Sequence, residues 1–192
     1  MSNVMVVPAG ARASFRRLRA QPWLAPALLA GSLLAAGAQA QVSLAQLPQA
    51  WRDDTGGEFP LRQLLGRRVI LTMAYASCHR ICPMTLQNLA RMQAELDQRG
   101  EAADFIVIGY DPDHERPSAW HAYRREHGLT RENWHFLTGS PSGTDQLARQ
   151  LNFEYWRYDE HVMHDSRAIV FDTAGVQRAT LGPDDQSWSA VL

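Results

Sequence analysis

The chain has 192 residues, with 19 basic and 20 acidic side chains and only two cysteines, Cys78 and Cys82. This balance, without a basic patch, excludes the electrostatic footprint of a nucleic-acid-binding protein. Two cysteines are also too few for the disulfide framework of a small secreted scaffold. The roughly 150 residues that follow the N-terminal segment are enough for one domain with its own core.

Residues 1–40 have the features of an export signal. They contain four arginines and no acidic residue, so 15 basic and 20 acidic residues remain after it. An apolar run over 24–36 follows the arginines, and Ala38-Gln39-Ala40 is a small-x-small cleavage site. The run is short for a membrane span, which needs about 20 apolar residues. We therefore predict a cleaved signal and a periplasmic protein. A retained N-terminal anchor, which would keep the protein close to the membrane, is the alternative.

Alternating strand and helix patterns follow in chain order. We predict an N-terminal extension at 41–57 and one domain at 58–192. The patterns predict strands at 69–75, 105–110, 134–137, 168–171 and 176–180, and helices at 83–98, 117–127 and 142–151. The first two strands are mainly apolar and show no polar alternation, as expected for strands that are buried on both faces. The sequence therefore predicts an α/β fold: a mixed central sheet flanked by helices, with a β-hairpin near the C-terminus.

Cys78 and Cys82 lie where the first strand gives way to the first helix, with His79-Arg80-Ile81 between them. A helix N-terminus and a neighbouring arginine both favour the thiolate, which is the nucleophile and the metal ligand. A disulfide between such close cysteines closes a short loop and stabilises the fold little. The pair therefore predicts either dithiol–disulfide chemistry or the binding of a thiophilic metal. A passive disulfide or buried free thiols are the unreactive alternative.

Two thiolates rarely complete a metal site, so a third ligand is needed. The seven histidines are His79, His114, His121, His127, His135, His161 and His164. His161 and His164 precede the strand at 168–171, where a sheet edge would face the cysteine loop. Spacing alone leaves the choice between them open. Thiolates with an imidazole favour Cu(I), and the same donors also bind Cu(II) or zinc. Trp120, Trp134 and Trp156 are expected to pack in the core or at its rim. Met163, beside His164, is expected to have a packing role, with an axial thioether ligand as the alternative.

Four segments resemble, in order, motifs of the Sco/SenC copper-binding proteins associated with cytochrome oxidase assembly. They are Tyr75-Ala76-Ser77-Cys78-x-x-x-Cys82-Pro83, Ile108-Gly109-Tyr110-Asp111-Pro112, the segment Trp134 to Gly139, and His164-Asp165-Ser166 with the later Asp172-x-x-Gly175. The resemblance covers about 120 residues. Glu115 stands where the family usually has Asp. Asp111 and Asp113 are expected to hold the loop after the second strand.

This resemblance implies a thioredoxin-like fold with copper bound by Cys78, Cys82 and His164. It also implies a role at the CuA site of cytochrome c oxidase, either delivering copper or reducing the cysteines of that site. The expected partners are the CuA subunit or another copper acceptor, and a thiol–disulfide reductase.

The main alternative is a periplasmic thiol–disulfide oxidoreductase that reduces partner cysteines without carrying metal. In that case Cys78 and Cys82 would be the redox-active pair and His164 a bystander or proton relay. A peroxidase of the same broad fold is a weaker alternative, because residues 73–77 lack the Pro-x-x-x-Thr-x-x-Cys pattern.

Overall fold

The computed structural model describes residues 41–76, 81–159 and 161–182, and for residues 81–83 it describes the backbone only. The predicted export signal and Cys78 therefore lie outside the described residues. The described helices are α1 (Ile81–Arg99), α2 (Pro117–Glu126) and α3 (Pro141–Leu151). The described strands are β1 (Arg52–Asp53), β2 (Val69–Ala74), β3 (Asp104–Gly109), β4 (Trp134–Thr138), β5 (Tyr155–Tyr158), β6 (His161–His164), β7 (Ala168–Phe171) and β8 (Gln177–Leu181).

A mixed sheet forms the centre of the domain, with the strand order β1-β4-β3-β2-β7-β8. Strands β2, β3 and β4 run parallel, whereas β1, β7 and β8 join antiparallel to their neighbours. Every residue of β2 and β3 is buried, because both faces of a parallel sheet are covered. Strands β7 and β8 are joined by a turn in which Gly175 has φ +74°. The predicted fold class, including this C-terminal hairpin, is confirmed.

Helix α1 covers one face of the sheet with a stripe of side chains at helical spacing. Leu86, Leu89, Met92 and Leu96 are all buried, as their spacing predicts. The helix begins at Ile81, two residues earlier than predicted. Pro83 is therefore its third residue, still within the first turn, where backbone N–H groups have no intrahelical acceptor. Within the described residues, no helix is both long and apolar enough to cross a membrane.

Residues 41–57, predicted as an N-terminal extension, lie against the domain. Leu44 and Trp51 are buried in the core, and β1 pairs with β4 through Arg52 and Thr138.

Strands β5 and β6 form a separate two-stranded hairpin, which the sequence patterns do not predict. Only Val162 among the residues of these two strands is buried, so the apolar alternation typical of a half-buried strand is missing.

Candidate metal centre

The carboxyl edge of the sheet brings together the segments on which the predicted ligands lie. Strands β2 and β3 are parallel and end side by side, and the Tyr110 N–H donates to the Ala74 carbonyl at 3.0 Å. Strand β7 runs antiparallel to β2, so its beginning lies at the same edge. There the Thr72 hydroxyl donates to the Arg167 carbonyl at 2.7 Å. The chain thus leaves β2 towards Cys78 at the edge where it arrives from His164.

A side-chain hydrogen bond joins the start of α1 to the histidine segment. Thr85, in the first turns of α1 and three residues after Cys82, is hydrogen-bonded through its hydroxyl to the hydroxyl of Ser166. Ser166 follows His164 by two residues. The contact spans 81 positions of sequence. It therefore fixes the end of α1 that carries Cys82 beside the segment that carries His164.

His164 is the last residue of β6 and lies opposite Tyr155. Its half-buried ring stacks on Tyr110, with centroids 4.7 Å apart and an interplanar angle of 26°. Its Nδ1 lies 2.6 Å from the Asp165 carbonyl oxygen. A carbonyl can only accept, so Nδ1 carries the proton and donates. In the neutral ring the lone pair is then on Nε2, the arrangement typical of a metal-ligating histidine oriented by a backbone carbonyl.

Two tyrosines hold this imidazole in place. Tyr110 is buried, and its ring centroid lies 5.0 Å from that of Tyr155. Its hydroxyl donates to Asp165 Oδ1 at 3.3 Å. Tyr155 donates its hydroxyl to Asp145 on α3. Burial, followed by this bond to a carboxylate, raises the pKa of Tyr155 to about 12. Tyr155 therefore stays protonated and keeps β5 attached to the domain. No local sequence pattern marks Tyr155, because its partner Asp145 lies on another element.

Asp111 fixes the hairpin to the end of β3. It is buried, with Arg157 of β5 at 2.6 Å from Oδ1 and His114 at 2.8 Å from Oδ2. It therefore holds the loop after β3, as expected from the sequence.

Glu115 is the most perturbed acid at this edge. It is 2% exposed. Its carboxylate accepts hydrogen bonds from the Ala76 N–H and, at 2.9 Å, from the Asp111 N–H. Burial, with a smaller contribution from the Asp111 carboxylate, raises the pKa of Glu115 to about 8, although both N–H donors oppose the shift. At neutral pH the side chain is mostly uncharged, and it anchors the chain two residues before Cys78.

A glycine makes room for this carboxyl group. A Cβ atom at position 109 would collide with the Glu115 carboxyl group, so the end of β3 needs Gly109. The sequence marks Glu115 only as a departure from the family's usual Asp, because its partner Ala76 lies 39 residues away.

Of the three predicted ligands, His164 alone has a described side chain. Cys78 lies outside the described residues, and Cys82 is described by its backbone in the first turn of α1. Among the described side chains, no three His, Cys, Asp or Glu residues cluster as a metal site. Residues three apart on a strand face opposite sides, so His161 projects from the other face of β6.

Trp120 and Trp134 are buried, as expected, but the expectations that Trp156 lies in the core or at its rim and that Met163 has a packing role are wrong. Met163 is 42% exposed and Trp156 is 55% exposed. Both lie on the face of the hairpin that is turned away from the domain, where no other element covers them among the described residues.

The fold has known relatives among solved structures. A SCO1/SenC family lipoprotein from Bacillus anthracis str. Ames superposes with a TM-score of 0.70 at 17% identity, covering 80% of this chain and 94% of the other. Arabidopsis thaliana ScoI with copper bound gives a TM-score of 0.67 at 23% identity, covering 75% and 91%. These likenesses establish the thioredoxin-like fold.

The sequence comparisons agree with the structural ones. The SCO1/SenC family model matches residues 41–191. The SCO1 protein homolog of Bacillus subtilis (strain 168) is 22% identical over 141 residues, which cover 64% of this chain and 73% of the homolog. The class defined by the fold is thus the thioredoxin-like proteins. Because the family model spans most of its length, the chain belongs to the SCO1/SenC family.

Proposed function

We propose that the protein is an exported copper chaperone that binds copper through Cys78, Cys82 and His164 and helps to assemble the CuA site of cytochrome c oxidase. The observation that carries this proposal is the hydrogen bond between Thr85 and Ser166, which ties the α1 end bearing Cys82 to the segment bearing His164. Family membership supports copper as the cargo, since a solved relative holds copper.

The donor set suits a soft, transferable metal ion. Two thiolates and one imidazole favour Cu(I) and also accept Cu(II). His164, oriented by the Asp165 carbonyl and the Tyr110 ring, would supply a nitrogen at a fixed position. Release would follow ligand exchange, as thiolates of the acceptor replace Cys78 and Cys82 one at a time. Oxidation of the pair to a disulfide removes both sulfur ligands and ends copper binding.

The proposed location is the periplasm, reached through the N-terminal signal, with a retained anchor as the alternative. The proposed partners are the CuA subunit or another copper acceptor, and a thiol–disulfide reductase that keeps Cys78 and Cys82 reduced in an oxidising compartment.

The decisive experiment measures Cu(I) affinity of the reduced protein without oxygen, in competition with a chelator. Loss of a residue that only supports a metal ligand typically lowers metal affinity roughly 10- to 100-fold. His164→Ala removes the proposed ligand itself, so it should weaken Cu(I) binding by at least that factor. His127→Ala is the matched control, because that exposed imidazole stacks on Tyr123 at the end of α2. The thiol content should be the same in all three proteins. Equal copper affinity in wild type and His164→Ala would remove His164 from the site.

A second candidate function is reduction of partner cysteines without metal. The position of Cys82 in the first turn of α1 favours it, because a helix N-terminus stabilises a thiolate. Turnover of a disulfide substrate separates the two functions. An oxidoreductase would lose activity in Cys78→Ser and keep it in His164→Ala, whereas a copper chaperone would bind copper more weakly in both variants.

A further inference from the structure

Four exposed side chains project from the side of the β5–β6 hairpin that is turned away from the domain. We call this group the outer face: Trp156, Tyr158, His161 and Met163. Trp156 is 55% exposed, Tyr158 70% and Met163 42%, and His161 is exposed too. The alternate residues Arg157 and Val162 face the domain, where Arg157 pairs with Asp111 and Val162 is buried. An exposed indole and thioether lose the stabilisation of burial, so their placement calls for an explanation other than packing.

The strand register brings these four side chains into two facing pairs. Trp156 lies opposite Met163, and Tyr158 lies opposite His161. Directly opposite side chains on one face of an antiparallel pair have Cβ atoms about 4.5–5.5 Å apart. His161 and Met163 are two residues apart on β6, so they project from the same face. An imidazole and a thioether therefore project from the same face, with an indole side chain directly across from the thioether.

The chemistry of this group selects a soft monovalent cation. Thioether and imidazole ligands suit Cu(I), whereas Ca²⁺ and Mg²⁺ require oxygen ligands and structural Zn²⁺ takes four ligands. None of the four side chains is a carboxylate. The face of an indole ring attracts a cation within about 6 Å of its centroid, and Trp156 is the residue directly opposite Met163. Methionine is also flexible enough to reach a metal at the surface.

We propose that His161 and Met163 form a second, weaker Cu(I) site on the outer face, with the indole of Trp156 covering the bound ion. This site lies on the opposite face of β6 from His164, so the two sites can be filled at the same time. Its use as a loading point, from which copper passes by ligand exchange without a change of oxidation state, rests on the proposed function. The binding itself does not, because it uses neither cysteine nor His164.

The test uses the full chain with Cys78→Ser and Cys82→Ser, so that no thiol competes for metal. Ag(I) is the probe, as a Cu(I) substitute that does not change oxidation state. Methionine ¹³C-methyl NMR reports each thioether separately. The Met163 methyl signal should shift in a saturable manner, and the part of the tryptophan fluorescence that Trp156→Leu removes should be quenched over the same Ag(I) range. His161→Ala removes a proposed ligand, so it should weaken Ag(I) binding about tenfold or more, the lower end of what loss of a ligand's supporting residue costs.

Met84 supplies the matched control, because it is 63% exposed and lies on α1 rather than on either hairpin strand. Its methyl signal should shift only at much higher Ag(I) concentration. Trp156→Leu should weaken binding by roughly 2- to 30-fold, the range of one cation–π contact. If Met163 and Met84 respond at the same concentration, or if His161→Ala leaves the Met163 response unchanged, the outer face binds no metal specifically. That result would leave the proposal for Cys78, Cys82 and His164 untouched, since the tested protein lacks those thiols.

Discussion

A buried acid lies at each end of the parallel sheet, and the two acids differ in whether they have cationic partners. At the amino end, Asp104 is 2% exposed and is paired on both oxygens, with Arg67 Nε at 2.8 Å and His135 Nε2 at 2.8 Å. At the carboxyl end, Glu115 is equally buried but takes part in no ion pair among the described side chains. It accepts only backbone N–H groups and lies close to another acid, Asp111.

The difference in partners distinguishes a buried acid that stabilises the fold from a buried acid of the kind found at functional sites. A buried acid with cationic partners is compensated and contributes to the fold. A buried acid without them is held protonated at a cost, which is typical of functional sites. The uncompensated acid lies at the end where Cys78, Cys82 and His164 are expected to meet. The loop that carries the cysteines is therefore attached to an acid whose charge state changes near neutral pH.

The largest expected effect comes from titrating Glu115. Its pKa is raised from 4.5 to about 8 in the folded protein, so the folded state binds a proton more tightly than the unfolded state. Stability is then highest below pH 4.5 as far as this group is concerned, and falls as pH rises through the window up to about 8. One pKa unit corresponds to about 1.4 kcal/mol, so the loss should be a few kcal/mol. Urea unfolding at a series of pH values measures it.

Glu115→Gln is the control for that titration. The variant cannot ionise, and its amide NH₂ faces an N–H donor, so it should be less stable than wild type at acidic pH. The difference between the two proteins should shrink as pH rises from 4.5 to about 8. A difference that stays constant across this window would show that Glu115 does not titrate there.

A smaller effect is expected at the amino end of the sheet. Asp104→Ala leaves His135 and Arg67 without their shared acceptor, and Arg67 is partly exposed, so water compensates for part of the loss. The free energy of unfolding should fall by about 2 kcal/mol. Copper affinity should not change, because this end lies opposite the proposed centre. A loss of copper binding in a folded Asp104→Ala protein would contradict the division between the two ends.

The smallest effect is expected for an exposed ion pair near the same end. Asp97 pairs with Arg131 at 2.5 Å, and both side chains are substantially exposed. Surface pairs of this kind contribute little, because water and salt screen them. Asp97→Ala should therefore be almost as stable as wild type, which makes it the matched control for Asp104→Ala in the same urea experiment.

The sequence patterns predicted the parts of the fold whose signals are local. The mainly apolar stretches of β2 and β3, which show no polar alternation, and the helical stripe of Leu86, Leu89, Met92 and Leu96 indicate burial without knowledge of any partner. The β5–β6 hairpin was not predicted, because the contacts that attach it to the domain are long-range and leave no local pattern. They join Arg157 to Asp111 and Tyr155 to Asp145.

The candidate site also depends on contacts between residues that are far apart in the sequence. Spacing left His161 and His164 as alternatives, and the family motif selected His164. In the structure the His164 ring stacks on Tyr110 and donates to the Asp165 carbonyl, whereas His161 is exposed on the other face. The contacts of Thr85 with Ser166 and of Glu115 with Ala76 link positions 81 and 39 residues apart. No local pattern contains such pairs, so only the folded chain reveals them.

The most direct test of the central claim is X-ray absorption spectroscopy of the reduced protein loaded with one equivalent of Cu(I). The proposed centre predicts a first shell of two sulfurs and one nitrogen in the wild type, with the nitrogen lost in His164→Ala and retained in His127→Ala. A sulfur-only shell that is the same in all three proteins would contradict a copper centre that includes His164.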